Sequence, residues 1–280
     1  MSWTLTDDPE VYAEQVSTLL SRRPDANTIA LTVLDGLLAG GRWGEGEIVL
    51  GWYATETGVT GAVSMTPPYG ILLAELPEGS EAGLVKLLRG RGVAVPDVNG
   101  TVTDVARFAR CWTAGTGLRA ETVMRQLLYS LVDLQSPADL PPGSARPAAA
   151  ADLELLMEWM WAFQREAEGR AVPPLAANYQ RRIESGLVWF WCDQAGRPVS
   201  CAARNATVAG MSRVGPVFTP QEHRRHGYGE AVTAACTRDA LEQGAEQVVL
   251  FTDLQNPTSN AIYRRLGYRP IDERTIQRFV

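Results

Sequence analysis

Behind Asp152, apolar Leu153, Leu156, Met157 and Met160 recur at helical spacing and predict an amphipathic helix to about Ala167, with Asp152 as its cap. Pro173-Pro174 opens a second helix that ends near Gly186. Apolar runs then predict strands over residues 187–192, 198–204 and 211–219. A glycine-containing loop precedes a helix over about 228–243, closed by Gly244. Residues 246–253, with Val248, Val249, Leu250 and Phe251, read as a short strand rich in β-formers. Ser259 or Asn260 caps a last short helix stopped by Gly267, and residues 268–280 supply two final strands.

The first part of the chain repeats this order. Helical patterns cover 11–20 and 30–38, and strands are predicted over 47–54, 59–65 and 71–76. A helix over 80–89, a short strand at 98–100, a helix over 102–114 and a strand pair over 123–134 follow. Between the two series lies a seam, residues 136–151, with prolines at 137, 141, 142 and 147 that no single helix or central strand accommodates. It reads as a linker between two halves, 1–137 and 146–280.

The chain has 280 residues, which fits about two domains. No run of 18 apolar residues occurs, so no transmembrane helix is expected, and the acidic start lacks the apolar core of a secretory signal. Cys111, Cys192, Cys201 and Cys236 are far apart with no metal-type spacing, as for free thiols in a reducing cytoplasm. The net charge is −6, with 10 basic and 17 acidic residues before residue 141. Neither half has the basic excess that a nucleic-acid partner requires.

Candidate chemistry concentrates in Thr219-Pro220-Gln221-Glu222-His223-Arg224-Arg225-His226-Gly227-Tyr228-Gly229-Glu230, where a strand meets a helix through Arg-x-x-Gly-x-Gly. Glycines admit a ligand close to the backbone, and a helix start presents unpaired N–H groups at the positive end of its dipole. That is an anion site suited to phosphate, with Arg224 and Arg225 adding forked donors. The nucleotide-triphosphate loop is excluded because no lysine is nearby. A turn whose glycines serve only packing is the plain alternative.

About 25 residues further on comes Asn256-Pro257-Thr258-Ser259-Asn260-Ala261-Ile262-Tyr263-Arg264-Arg265-Leu266-Gly267-Tyr268. The two motifs in register resemble the GNAT N-acetyltransferase superfamily over roughly residues 146–280. The first half resembles a degenerate second copy, as in tandem, two-lobed members. The resemblance implies an α/β fold of two GNAT-like lobes, each a mixed, mostly antiparallel sheet flanked by helices. It implies acetyl-CoA as co-substrate, a small-molecule primary amine as acceptor, direct transfer, no metal, and a monomer or homodimer. A non-catalytic CoA-binding sensor is the competing function.

On that resemblance, Val217, Phe218 and Thr219 pair through their backbone with the pantetheine amides, and the N–H groups of Arg225, His226, Gly227, Tyr228, Gly229 and Glu230 cradle the pyrophosphate. A Val217 or Phe218 N–H also meets the thioester carbonyl as it gains charge. Tyr263 matches the family's general acid, or else packs the last helix on the sheet. Asn256, Ser259 and Asn260 contact the pantetheine arm or fix the turn. No carboxylate lies in 211–219, where many relatives carry a glutamate. Asp253 is the first candidate base, followed by Glu166 and Glu168, with a water relay as the alternative. His223 and His226 fall at the phosphate loop and read as loop contacts. Trp159, Trp161, Phe163, Trp189, Phe190 and Trp191 read mainly as core, and Cys192 and Cys201 as strand packing. In the first half, Glu78 and Glu81 stand where phosphates would sit, so one cofactor site per chain is expected.

Overall fold

The computed structural model of the chain describes residues 1–168 and 173–280. Its contacts divide it into two units, Met1–Leu127 with Asp272–Val280, and Leu128–Ile271. The chain's last nine residues therefore belong with its beginning, and the proline-rich seam lies inside the second unit.

The first unit runs β1 (Ser2–Thr6), α1 (Pro9–Leu20), α2 (Thr28–Leu38), β2 (Val49–Thr55), β3 (Gly58–Met65), β4 (Ile71–Glu75), α3 (Glu81–Gly90), β5 (Asp97–Thr101), α4 (Val102–Thr113) and the start of β6 (Ala120–Leu131). β1 to β4 are antiparallel neighbours in order. β4 and β5 run parallel through Ile71/Val98 and Leu72/Asn99. Residues 274–278 complete this sheet against β5, antiparallel. α1 begins where the Asp8 carboxylate accepts the Glu10 and Val11 N–H groups, and it buries Tyr12, Val16 and Leu20 at four-residue spacing. β1 escapes a pattern reading because only Trp3 and Leu5 mark its alternation; both are buried.

The second unit holds the end of β6, β7 (Ser144–Pro147), α5 (Leu153–Phe163), a π-helical turn (Gln164–Glu168), α6 (Ala176–Glu184), β8 (Val188–Cys192), β9 (Pro198–Arg204), β10 (Met211–Phe218), α7 (Tyr228–Glu242), β11 (Gln247–Asp253), α8 (Pro257–Arg265) and the start of β12 (Tyr268–Phe279). β7, β8, β9 and β10 are antiparallel in order, and β10 pairs parallel with β11. Each unit thus has one parallel pair in an otherwise antiparallel set of these strands. Phe190, Cys201, Ala203 and Phe218 pack with Leu156, Trp159 and Met160 of α5 and Ile183 of α6 on one face. On the other, Arg204 of β9 reaches Asp239 of α7 at 2.7 Å. α7 buries mostly small side chains, Ala231, Thr233, Ala234, Cys236, Thr237 and Ala240 among them, so it can lie close to the strands.

Four local expectations are corrected. The seam is not wholly linker: residues 144–147 form β7, with Pro147 on the edge strand where its missing N–H is tolerated. Asp152 does not cap α5; its carboxylate takes both guanidinium nitrogens of Arg146 (2.7 and 2.8 Å) and the Ala149 N–H, which hold it below the usual carboxylate range. α6 begins at Ala176 rather than at Pro173-Pro174. The residues after Gly267 form one strand, not two. Among the described residues no helix is long and apolar enough to cross a membrane.

Candidate active site

β10 and β11 form a fork. Their pairing runs from Met211/Gln247 to Val214/Leu250, yet β10 continues to Phe218 and β11 to Asp253. Beyond Val214, β10 keeps register only with β9, at Val217/Ala202 and Phe218/Cys201. The register shift between Val214 and Val217 holds Gly215 at φ +149° and Pro216, which has no N–H to lose. Alternate amides of this freed edge face away from β9 toward the gap.

Past Phe218 the chain turns through Thr219-Pro220 and a short 3-10 turn at Gln221–His223, then enters α7. Arg225 adopts φ +66° and Gly227 φ +81°. A left-handed conformation disfavours a branched-at-Cβ or bulky residue, so an arginine held there marks a backbone shaped by more than local preference. Gly227 caps α7 with no side-chain hydrogen bond, and the first helical bond runs from Ala231 N–H to the Gly227 carbonyl. The Tyr228, Gly229 and Glu230 amides therefore lack helical acceptors, at the positive end of the helix dipole. A Cβ on Gly229 would come within 3.3 Å of the Thr219 hydroxyl. Residues 224–227 are exposed.

Two side chains expected at the phosphates are engaged elsewhere. Arg224 donates to the Thr219 carbonyl (2.9 Å) and to Glu166 (2.5 Å), clasping its own loop. Glu230 is bridged by Arg265 of α8 through both carboxylate oxygens, at 3.0 and 2.5 Å. That pair ties the start of α7 to α8, and so links the two arms of the fork. The start of α7 thus presents main-chain amides without a side-chain cap, with Arg225 as the neighbouring cation.

The second motif builds the other arm. Asn256, not Ser259 or Asn260, caps α8: its Oδ1 accepts the Ser259 N–H at 3.0 Å. Pro257 follows at the first helical position, where its fixed φ suits the helix. Asn260 is buried and fully used, donating to the Asp253 and Asn256 carbonyls (2.9 and 2.7 Å) and accepting from the Tyr129 hydroxyl (2.9 Å). Of the two roles open to these asparagines, fixing the turn is the one the geometry supports. Tyr263 lies one helical turn further on, its ring only 8% exposed, between Tyr129 (6.3 Å) and Tyr268 (6.2 Å). Burial pushes its phenol up to about 12.

Asp253 is exposed, with Oδ1 accepting the Gln255 N–H at 2.8 Å. Glu166 is held by Arg224, and the side chain of Glu168 lies outside the described residues. His226 stacks on Tyr228 (5.6 Å, 21°) in the exposed loop. Trp159, Phe190 and Trp191 are buried, with Trp159 edge-on to Phe190 at 5.5 Å. Cys192 and Cys201 are buried, and burial pushes the Cys201 thiol up to about 12, which leaves no thiolate for nucleophilic work. Among the described residues no cluster of three His, Cys, Asp or Glu side chains could hold a metal.

Sequence reasoning missed Tyr129, 131 positions from its partner Asn260, and residue spacing gives no signal for such a pair. In the first unit, the helix that follows the corresponding parallel strand starts with Glu81, paired with Arg107 at 2.6 Å. A carboxylate occupies the helix start there, the opposite charge preference from a phosphate site.

Residues 196–276 match the FR47-like protein family. The chain is 26% identical over 300 residues to mycothiol acetyltransferase of Nocardia farcinica (strain IFM 10152), covering 96% of this chain and 94% of that one. Its fold is similar to a GCN5-related N-acetyltransferase from Sphaerobacter thermophilus (TM-score 0.63, 16% identity, 99% of this chain and 95% of the other). It is also similar to a tandem GNAT protein from the clavulanic acid biosynthesis pathway (TM-score 0.58, 14% identity, 88% and 86%). With both motifs seated on the two arms of one fork, residues 196–276 carry an FR47-like domain, and the chain as a whole has the two-lobed fold of tandem GNAT proteins.

Proposed function

We propose that the second unit moves an acetyl group from acetyl-CoA directly to a primary amine of a small acceptor. The observation that carries this reading is the fork: the β10 edge freed beyond Val214 leads straight to the uncapped amides of Tyr228, Gly229 and Glu230. A diphosphate fits amides at a helix start, and an extended chain of amides fits a freed strand edge. The mycothiol acetyltransferase relative supports acetyl transfer as the chemistry. Four free cysteines suit a reducing compartment.

In this reading the α7 amides hold the pyrophosphate and the 215–218 edge orients the thioester. An N–H of Val217 or Phe218 meets the carbonyl oxygen where negative charge develops. Tyr263, protonated throughout the neutral range because burial raises its phenol, donates to the departing sulfur and regains a proton from solvent. Asp253, at the open end of β11, takes the proton that the amine loses, directly or through water.

The test is release of free thiol from acetyl-CoA against a panel of amines, together with calorimetric binding of CoA. Turnover that requires an amine supports the proposal. Absence of acetyl-CoA binding at millimolar concentration overturns it.

A further inference from the structure

The first unit holds a cavity of about 520 Å³ lined by β1, β2 and α3, within the size range of small-molecule sites. None of its lining residues belongs to the fork, which the second unit carries. One wall is aromatic. Trp3 of β1 is buried and fixed, its Nε1 donating to the Ser80 carbonyl at 2.9 Å. Its ring lies 5.4 Å from that of half-buried Tyr53 on β2, the two tilted by 50°. Leu87 of α3 adds an aliphatic side.

Two features of the lining answer no need of the fold itself. Gly83 lies inside α3 with helical backbone, where alanine is the better helix former. Packing does not demand the glycine: an added Cβ would rest 3.6 Å from Trp3 Cδ1, an ordinary contact, on the side that lines the cavity. The second feature is charge. Residues 1–140 carry 17 acidic and 10 basic side chains, yet the described residues lining the cavity include Lys86 and Arg91 and no carboxylate. Lys86 is exposed on α3, and Arg91 is held at the rim by its Nη2, which donates to the Leu5 carbonyl at 3.2 Å.

We propose that this cavity binds a small aromatic carboxylate, its ring against Trp3 and Tyr53 and its carboxylate toward Lys86 and Arg91. A flat ring gains both buried area and edge or offset contacts from two rings set at an angle. The carboxylate gives each cation a charge-assisted partner, and a guanidinium already anchored by one bond loses little further freedom in taking it. The space beside Gly83 is where the body of the ligand lies. This site is independent of the acetyl-transfer reading, since no group of the fork takes part in it.

The experiment titrates the full chain calorimetrically with 2-naphthoate, 2-naphthamide and cyclohexanecarboxylate. The naphthoate is expected to saturate one site and to bind on the order of tenfold tighter than its amide and than the saturated acid. Lys86→Gln, at an exposed position, should fold normally and bring the acid's affinity down toward that of the amide, and Lys86→Arg should keep most of it. Gly83→Ala should melt no lower than the wild type, because alanine favours the helix, while its methyl group weakens naphthoate binding by roughly tenfold. Absence of saturable binding, equal affinity for acid and amide, or affinity untouched by both Lys86→Gln and Gly83→Ala overturns the proposal. So does self-association in sedimentation that Lys86→Gln abolishes, which would assign the cavity to a second copy of the chain. Each of these results leaves the transferase reading standing.

Discussion

The Tyr129 hydroxyl donates to Oδ1 of Asn260 at 2.9 Å, from a strand that ends the first half of the sequence to the helix that carries Tyr263. Both residues are buried, and Asn260 spends its amide hydrogens on the Asp253 and Asn256 carbonyls. The β11–α8 turn is therefore held by one fully satisfied asparagine whose acceptor needs a distant tyrosine. Removing the hydroxyl strands a buried acceptor, which costs about 1–3 kcal/mol. Tyr129→Phe should lower the melting temperature by several degrees. Because the Tyr263 ring rests against Tyr129, turnover should also fall while the KM for acetyl-CoA stays near its wild-type value. Calorimetric melting and steady-state kinetics on the same preparation check both.

This relationship marks where the sequence stops being readable. The run from β8 through β11 follows its local pattern closely, and β9 coincides with the expected strand, because alternation and glycine punctuation act within a few residues. The two motifs announce the arms of the fork for the same reason. Partners that lie far apart leave no such trace: Arg224 meets Glu166 across 58 positions, and residues 274–278 complete a sheet begun at the other end of the chain. Asn256 takes the cap expected of Ser259 or Asn260 because Pro257 behind it already has the φ that opens a helix.

Tyr263→Phe tests the phenol and carries a sign in pH. The folded protein raises the phenol from 10.0 to about 12 by burial, so it favours the protonated form more than the unfolded chain does. That stabilising share is complete below pH 10 and is lost as pH rises from 10 toward 12, by about 1.4 kcal/mol per pH unit. Comparing wild type with the phenylalanine variant cancels the other groups: the variant's denaturant midpoint should fall less steeply above pH 10. At neutral pH the variant should remain folded and lose turnover by about 10- to 1000-fold, with little change in the KM for acetyl-CoA.

Glu166 discriminates between a base and a clasp. Its carboxylate pairs with Arg224 in the open, the two side chains being 51% and 43% exposed, and pairs of this kind contribute about 0–1 kcal/mol. Glu166→Gln should leave the melting temperature within about 2 °C of wild type. Turnover should stay within about threefold. Affinity for CoA should hold or rise, since Arg224 is released beside a polyanion, and the gain should vanish in high salt. A collapse of turnover with unchanged CoA binding would instead make Glu166 the proton acceptor and displace Asp253.

Gly227 and Gly229 separate cofactor binding from folding. At Gly227, φ is +81° and an added Cβ would touch only the Pro141 side chain at 3.8 Å, so alanine meets backbone strain rather than a clash. That strain is about 1–2 kcal/mol. At Gly229 the backbone is helical, and an added Cβ would press the Thr219 hydroxyl at 3.3 Å, a contact relieved by a few tenths of an ångström. Gly229→Ala should therefore fold with near-normal stability and even gain from alanine's helix preference. If the amides of residues 228–230 receive the pyrophosphate, its new methyl group crowds that path and CoA affinity drops by at least tenfold. Titration calorimetry with CoA and with dephospho-CoA, which keeps the pyrophosphate but lacks the ribose phosphate, should give the same loss for both ligands. A Gly229→Ala protein that binds either with wild-type affinity would show that the amides at this helix start hold no diphosphate.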